Sequence, residues 1–313
     1  MTTENWITVA GLAASAIISA AGLYLAPKLA IRAALRSRMT IKGPNNNAFF
    51  RFAERQPEVL KAIDQIAVGF TNLFTAVTKP ESSVETETLF LLSSAIYTEY
   101  EEIVTLATSD YGFGATKLLR ALYERIATTL YLMKNPGKVM QFKEYSDVHW
   151  YKLLAEADRN GTGKQLSDDR RKEIMSNLEA VRARFSSYAC DKCKDKEELR
   201  GSWTRLPPPD QASQLHEQLR LLSFHGYLMP TFFLHTTDWG ISRQLVHYVD
   251  GTKMFRHPAL ERDYAEKAIV VASNLMRFFA AGFSEFFKLN LDKECANIQQ
   301  AIDSIGNELR PAP

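Results

Sequence analysis

Cysteine is scarce in this chain of 313 residues, which limits the kinds of fold and site that it can form. The three cysteines, Cys190, Cys193 and Cys295, are an odd number in a long sequence and imply no disulfide framework. Cys190 and Cys193 form a lone Cys-x2-Cys pair, which is half of a zinc site and lacks the context of a thioredoxin-type redox motif. They are weak candidates for metal ligands, so we predict no metal site and a reducing, cytoplasmic setting for the main domain.

The chain also lacks an excess of charge of either sign. Lysine and arginine together number 38, against 36 aspartate and glutamate residues, for a formal net charge of +2. This balance gives the chain no global electrostatic reason to bind nucleic acid, although it leaves room for a local patch. The sequence also lacks the phosphate-loop pattern Gly-x4-Gly-Lys-Ser/Thr, the hydrolase pattern Gly-x-Ser-x-Gly and the metalloprotease pattern His-Glu-x2-His. We therefore predict no cofactor.

A long uncharged run is present near the N-terminus, from Asn5 to Pro27. At about 1.5 Å per residue, it is long enough to cross a hydrocarbon core of roughly 30 Å. Glu4 precedes the run, and the basic residues follow it, as Lys28, Arg32, Arg36 and Arg38. This order favours a retained anchor over a cleaved signal peptide and places the following chain in the cytoplasm. We predict a membrane anchor with a basic juxtamembrane segment at residues 1–39, in contact with lipid through residues 5–38.

Small residues recur every four positions within this run, at Gly11, Ser15 and Ser19. On a helix they would share one face, and small residues at that spacing let two membrane helices approach closely. The spacing therefore predicts a homodimer through the anchor. The alternative is a weakly hydrophobic anchor that does not associate with itself.

The rest of the chain has a helical pattern after a linker at residues 40–47, which contains Gly43, Pro44 and three asparagines. Apolar residues at three- and four-residue spacing, with caps and prolines at the ends, predict the following main helices: Ala48–Val77, Val84–Thr108, Ala115–Met133, Pro136–Ala157, Ser167–Tyr188, Asp210–Phe224, Pro258–Leu289 and Asp292–Leu309. A short helix is expected after Pro230, and residues 238–253 have strand-like or loop character. We predict an all-α fold: an N-terminal transmembrane helix and then, over residues 48–313, a cytoplasmic bundle of about seven to nine helices.

One predicted helix carries an ion pair whose role is open. In "GFGATKLLRALYERIATTLYL", residues 112–132, Arg120 and Glu124 lie one turn apart, almost opposite the centre of the apolar arc. That geometry favours a solvent-exposed pair that contributes little to stability. Ala127 and Tyr131 share the same side, however, so a covered, internal pair is the alternative.

Three segments together resemble the domain-of-unknown-function 5677 family of bacterial proteins. They are "GFGATKLLRALYERIATTLYLMKNP", "GSWTRLPPPDQASQL" and "YLMPTFFLHTT", within a region from Ala48 to Phe287. The family pattern combines an Arg-x3-Glu helix, a Trp-containing loop and a later helix that leads to a histidine. The resemblance implies that the functional residues here are Arg120, Glu124, Trp203, Tyr227, Thr231 and His235, with Thr231 where serine is common. It implies a bacterial protein, which with the anchor predicts the inner (plasma) membrane, but it implies no activity.

The stretch "RLLSFH", from Arg220 to His225, resembles a second class of proteins. Helical ribonucleases of the HEPN class (higher eukaryote and prokaryote nucleotide-binding) carry Arg-x4-6-His at the end of a helix. There the arginine can hold a phosphate and the histidine can move the proton of a ribose hydroxyl without a metal. Leu221 departs from this pattern, because those proteins usually have a polar residue directly after the arginine.

Two functions therefore remain open at the level of sequence. The first is a partner-binding or sensing module at the membrane, in which Arg120 and Glu124 form an internal brace. The second is a metal-independent ribonuclease or nucleotide-acting enzyme, in stress or phage defence. In that enzyme, Arg220, His225 and His235 would bind the phosphate and transfer the proton. Arg120 and Glu124 would orient these three side chains. The partner is a protein in the first case and RNA in the second, and the enzyme requires Arg120, Glu124 and one histidine to meet in a cleft.

Overall fold

The structure is a computed structural model that describes residues 46–77, 83–188, 197–235, 241–242, 245–247, 253–255 and 261–309. The predicted anchor at residues 1–39, with Gly11, Ser15 and Ser19, lies outside the described residues, and so does the Cys190–Cys193 pair. Most of the predicted linker lies outside them as well, and Asn46 already begins a helix.

The described residues form an all-α fold, as the sequence predicts. The helices are α1 (Asn46–Arg55), α2 (Pro57–Ala76), α3 (Val84–Thr108), α4 (Gly112–Lys134), α5 (Val139–Arg159), α6 (Asp168–Phe185), α7 (Pro208–Ser213), α8 (Glu217–Leu221), α9 (Met229–Leu234), α10 (Arg262–Phe286) and α11 (Asp292–Glu308). Eight of these have at least ten residues. The short helices α7, α8 and α9 bring the number in the described ranges to eleven, above the predicted seven to nine.

Minor elements complete the described chain. They are two short 3-10 helices (Pro136–Lys138 and Gly163–Gln165), a π-helix (Phe224–Leu228) and the three-residue strands β1 (Ser186–Tyr188), β2 (Glu197–Leu199), β3 (Leu245–His247) and β4 (Lys253–Phe255). Strand β1 pairs with β2 and β3 with β4, both antiparallel. The second pair arises in and beside the segment that was expected to be strand-like or loop.

Proline explains the main differences from the predicted boundaries. Helix α3 has the predicted ends, but the first predicted helix divides into α1 and α2 at Gln56. Pro57 disfavours helical backbone at the residue before it, and Gln56 has φ −132° and ψ 53°. Helix α7 begins at Pro208, so Asp210 lies inside the helix and is not its N-cap. Proline suits the first turn because the N–H that it lacks would have no partner there.

The described residues divide into two compact units. The first contains the described residues of 46–77, 93–126 and those from 221 onward, and the second contains the described residues of 83–92 and 127–220. The sequence predicted a single domain over residues 48–313. The division between the units falls within α3 and within α4, so each of these helices contributes residues to both units.

Helices α2, α10 and α11 supply the aromatic core of the first unit. Phe70 of α2 stacks on Phe279 of α10, with ring centroids 5.7 Å apart, and Phe74 meets Phe283 edge to face at 5.0 Å. At Gly69, a Cβ atom would overlap the side chain of Ile298, so the glycine lets α11 pack closely on α2. These contacts bury residues far apart in the sequence and give the unit its hydrophobic stabilisation.

Among the described helices, only α10 is long and apolar enough to cross a membrane. Ten of its residues, including Ile269 and Phe279, are buried in the first unit. Core packing therefore accounts for its composition.

In the second unit, α5 packs against α6 and buries Tyr145 and Phe185, whose rings meet edge to face at 5.2 Å. Helix α6 begins as predicted, because the Ser167 Oγ accepts a hydrogen bond from the Arg170 N–H at 3.3 Å. The face of α5 beside this core carries the aromatic residues that meet the loop after β2.

Candidate functional site

Arg120 is the centre of the candidate site in the first unit. Its Nε donates a hydrogen bond to the Glu124 Oε1 at 3.1 Å, and its Nη1 donates to the Thr231 Oγ1 at 2.8 Å. The guanidinium carbon lies 4.7 Å from the ring centroid of Tyr227. The Arg120 side chain is only 25% exposed, because Tyr227 and Thr231 cover the face that helical geometry alone would place in solvent. Four of the six residues implied by the family pattern therefore meet at one place.

The π-helix brings the covering segment close to α4. A Cβ atom on Gly226 would lie 3.1 Å from the Tyr123 Cδ2 and 3.5 Å from the Leu275 Cδ1, so the missing side chain permits this approach. The Thr231 Oγ1 also donates to the Tyr227 carbonyl at 2.7 Å, which joins the two residues that contact Arg120. Isolated π-turns occur frequently at functional sites. No local pattern in the sequence predicts this π-helix.

A second ion pair lies beside the first, where α3 meets α4. The Arg125 Nε donates to the Glu99 Oε2 at 3.1 Å, and Glu99 is only 8% exposed. Burial raises the pKa of the Glu99 carboxyl, Arg125 opposes that rise, and the negative charges of Glu102 and Glu124 add to it. Because Glu124 influences Glu99, we treat Glu99, Arg120, Glu124 and Arg125 as one ionic cluster. Sequence reasoning missed Glu99 and Arg125, which belong to no motif.

The start of α4 is fixed against the start of α10. The Phe113 N–H donates to the Glu261 Oε2 at 2.9 Å, which gives an otherwise free helical N–H a partner. A Cβ atom on Gly112 would overlap the Glu261 carbonyl and lie 2.7 Å from the Ala265 nitrogen. Gly112 is therefore required for close backbone packing, and this packing sets the position of Arg120 along α4.

The two candidate histidines lie in the first unit, and both are exposed. His235 is the C-cap of α9, and its N–H donates to the Thr231 carbonyl at 3.0 Å. Since Thr231 also contacts Arg120, the His235 backbone lies roughly 10 Å or less from the guanidinium. His225 lies in the π-helix, and its ring meets that of Phe224 edge to face at 5.0 Å. The structure thus brings His235 near the ionic cluster.

Arg220 has a different environment, because it belongs to the second unit. It is exposed, and its Nε donates to the Glu217 Oε2 at 2.8 Å, one turn earlier on α8. Its side chain is thus bound to a local carboxylate.

Trp203, another residue that the family pattern implies, also lies in the second unit. It is 7% exposed and meets the Phe142 ring edge to face at 5.5 Å and the Tyr131 ring at 6.1 Å. The Gln141 Nε2 donates to the Trp203 carbonyl at 3.0 Å. These contacts hold the tryptophan loop against α5, where it forms one wall of a cavity.

No group of three or more potential metal ligands occurs among the described histidine, cysteine, aspartate and glutamate residues. Cys295 is the cysteine that the structure describes, and burial raises the pKa of its thiol. A raised pKa disfavours the reactive thiolate.

An apolar surface runs along the segment that covers Arg120. Its residues, which we call the apolar ridge, are 60%, 52%, 47% and 45% exposed in chain order: Leu221, Phe224, Leu228 and Phe232. Leu228 directly follows Tyr227, and Phe232 directly follows Thr231. Each of the two residues that contact Arg120 is therefore followed in the sequence by an exposed apolar residue. The three- and four-residue spacing could have predicted this stripe from the sequence, but not that it would face solvent.

The fold and site together define an all-α protein in which an Arg-x3-Glu helix is held by a later Tyr-x3-Thr segment. This chain belongs to a family of unknown function, DUF5677, whose model matches residues 87–251. The match begins within α3 and is narrower than the expected region from Ala48 to Phe287. No curated protein matches the chain, and neither does any solved structure.

Proposed function

We propose that this protein is a membrane-anchored module that binds a protein partner through the apolar ridge. The observation that carries the proposal is the set of contacts that the Arg120 guanidinium makes within the fold. Glu124 and Thr231 take hydrogen bonds from its guanidinium, and Tyr227 covers it, so its charge is balanced within the fold. An arginine bound in this way serves as a brace for the segment that bears the ridge.

The composition of the ridge supports binding to a protein. Two phenylalanines and two leucines at about half exposure follow one another at three- and four-residue spacing, and clusters of exposed apolar residues typically mark an interaction site. Aromatic residues are enriched in the centres of protein interfaces. A rigid support below the stripe reduces the ordering cost of binding.

The membrane location rests on the sequence alone. The uncharged run from Asn5 to Pro27, followed by Lys28 and Arg32, supports a single-pass anchor in the bacterial inner membrane with the helical units in the cytoplasm. Fractionation tests this part, because an anchored chain sediments with membranes and needs detergent for release. Recovery of the intact chain in the soluble fraction would count against it.

Site-specific photo-crosslinking in cells tests the ridge. A photoreactive phenylalanine at Phe224 should crosslink the full chain to another protein, whereas the same group at Leu153, which is 60% exposed on α5, should not. The additional change Phe232→Ser should reduce the adduct at position 224. An adduct of twice the chain's mass would identify the partner as a second copy. Adducts to lipid alone, no adducts, or equal protein adducts at both positions would overturn the proposal.

A metal-independent ribonuclease is the second candidate, and the position of His235 favours it. His235 lies one helical turn beyond Thr231, whose hydroxyl accepts the hydrogen bond from Arg120, so the His235 backbone lies near the Arg120–Glu124 pair in the first unit. The histidine could move a proton of a ribose hydroxyl.

RNA integrity after expression separates the two candidates. A ribonuclease would degrade cellular RNA in cells that express the wild-type chain, and His235→Ala would restore intact RNA. His225→Ala serves as the comparison, because His225 lies in the π-helix and contacts Phe224. Unchanged RNA with the wild type would exclude the ribonuclease.

A further inference from the structure

A cavity of about 400 Å³ opens in the second unit, whereas the ionic cluster and the ridge belong to the first. One wall is a face of α5 at helical spacing, and the other is the loop that contains Trp203. The lining residues are Phe142, Lys143, Tyr145, Ser146, His149, Gly201, Ser202 and Trp203. This volume falls within the range of small-molecule sites, which combine aromatic walls with a few polar groups.

The walls are held in place by hydrogen bonds that leave the cavity open. The Tyr145 hydroxyl donates to the Arg200 carbonyl at 2.7 Å, and the Lys152 Nζ donates to the same carbonyl at 2.6 Å. The Trp203 carbonyl accepts from Gln141. The loop is thus pinned to α5 on both sides of Gly201, and a preformed cavity avoids the ordering cost that ligand binding would otherwise carry.

The charge around the cavity is positive. Among the described residues that line it, Lys143 is charged and none is a carboxylate. Lys152 and Arg205 add positive charge close by, since Lys152 lowers the pKa of His149 and Arg205 lowers the pKa of Arg200, in each case after the larger effect of burial. Aromatic walls alone would also suit a quaternary ammonium ion. The lysines oppose a cation and favour an anion.

His149 supplies a further polar group. Burial and then Lys152 lower the pKa of its imidazole, which favours the neutral ring. A neutral imidazole offers one donor and one acceptor. The hydroxyls of Ser146 and Ser202 add groups that can do both.

We propose that this cavity binds a small anion with a planar ring, of the class of nucleoside monophosphates. The ring would lie against Phe142 and Trp203, the phosphate would face Lys143, and the serine hydroxyls would bond to the polar edges. Base–aromatic contact is favourable for any base, and lysine is a common partner of phosphate. This site is independent of the protein-binding ridge and gives the module a second, small-molecule ligand.

Calorimetry on the full chain in detergent micelles tests binding directly, with AMP, GMP, CMP and UMP as probes. At least one should bind with a Kd on the order of 100 μM or tighter. The matching nucleoside, which lacks the phosphate, should bind at least about tenfold more weakly, because it loses the contact with Lys143. Failure of all four nucleotides to bind, or equal binding of nucleotide and nucleoside, would overturn the proposal.

Two pairs of variants locate the bound nucleotide. A Cβ atom on Gly201 meets nothing within 4 Å, so Gly201→Leu should fill the cavity without strain and abolish binding. Gly137 is equally open but does not line the cavity, so Gly137→Leu should bind like the wild type. Lys143→Gln should weaken binding about tenfold, whereas Lys172→Gln, on the exposed surface of α6, should not. Binding unchanged by Gly201→Leu, in a variant whose circular dichroism and melting match the wild type, would overturn the assignment.

Discussion

The Arg120 Nη1 donates a hydrogen bond of 2.8 Å to the hydroxyl of Thr231, which follows it by 111 residues in the chain. This bond ties α4 to the segment that bears the apolar ridge. It also bears on the two interpretations of the Arg120–Glu124 pair, because it gives the pair a partly buried partner on another segment of the fold. The pair contributes to tertiary structure.

Thr231→Val tests this bond, because valine keeps the shape of threonine and removes the hydroxyl. The change leaves a part-buried guanidinium N–H without its acceptor, so the free energy of unfolding should fall by about 1–3 kcal/mol. Urea denaturation measures the loss. Thr71→Val is the matched control, since the Thr71 hydroxyl donates within its own helix to the Ala67 carbonyl. Equal losses in both variants would contradict the bracing role.

Glu99 predicts a specific dependence of stability on pH. Its carboxyl has a raised pKa in the folded state, so protonation favours folding. This contribution is present below the unfolded pKa, about 4.3, and is lost as the pH rises through the higher folded value. The stability of the wild type relative to Glu99→Gln should therefore fall between pH 4 and neutral pH. Denaturation at a series of pH values measures this difference, and the exposed Glu58→Gln variant provides the baseline. A difference that does not change with pH would refute the prediction.

Gly112 and Gly114 lie in one short motif, but replacing each by alanine should change the free energy of unfolding in opposite directions. Gly112→Ala places a methyl group against the backbone of Glu261 and Ala265, so we expect a loss of about 1–3 kcal/mol. Gly114→Ala meets its nearest atom at 3.6 Å, an ordinary contact, and should gain up to about 1 kcal/mol from helix propensity. Thermal melting of both variants gives the comparison. A stable Gly112→Ala variant would show that the two helix starts can separate.

Phe232 and Phe233 are neighbours with different roles. Phe232 is 45% exposed on the ridge, so Phe232→Ala should lower the free energy of unfolding by only about 1 kcal/mol. Phe233 is 5% exposed and packs on Phe113 and Tyr264, so Phe233→Ala should cost about 3–5 kcal/mol. Chemical denaturation distinguishes them. A large loss at Phe232 would mean that the ridge belongs to the core.

The sequence predicts the long helices well, because their signals are local. Helix α3 has the predicted ends since its apolar spacing is not interrupted by glycine or proline, and Ser167 caps α6 as expected. The region from 208 to 234 is harder, because three short helices and a π-helix replace the expected helix Asp210–Phe224 and the short helix expected after Pro230. There, tertiary contacts such as that of Gly226 with Tyr123 decide the backbone.

The candidate site was only partly predictable for the same reason. The family resemblance pointed to Arg120, Glu124, Tyr227 and Thr231, which the structure brings together. Helical geometry alone placed Arg120 in solvent, because the segment that covers it is more than 100 residues away. Glu99 carries no local signal, since its altered pKa arises from burial against α4.

The pairing of α2 with α11 has a consequence for how the chain is made. These helices form part of one core, yet α11 begins more than 200 residues after α2 ends. On the ribosome, the apolar face of α2, with Ile66 and Phe70, must wait for its partner for roughly 10–40 s at ordinary rates of synthesis. The second unit draws mostly on one continuous stretch, so it can fold while the first is still incomplete. A newly made chain therefore exposes the apolar face of α2 until α11 has been synthesised, and this is the stage of synthesis at which the chain is most prone to aggregate.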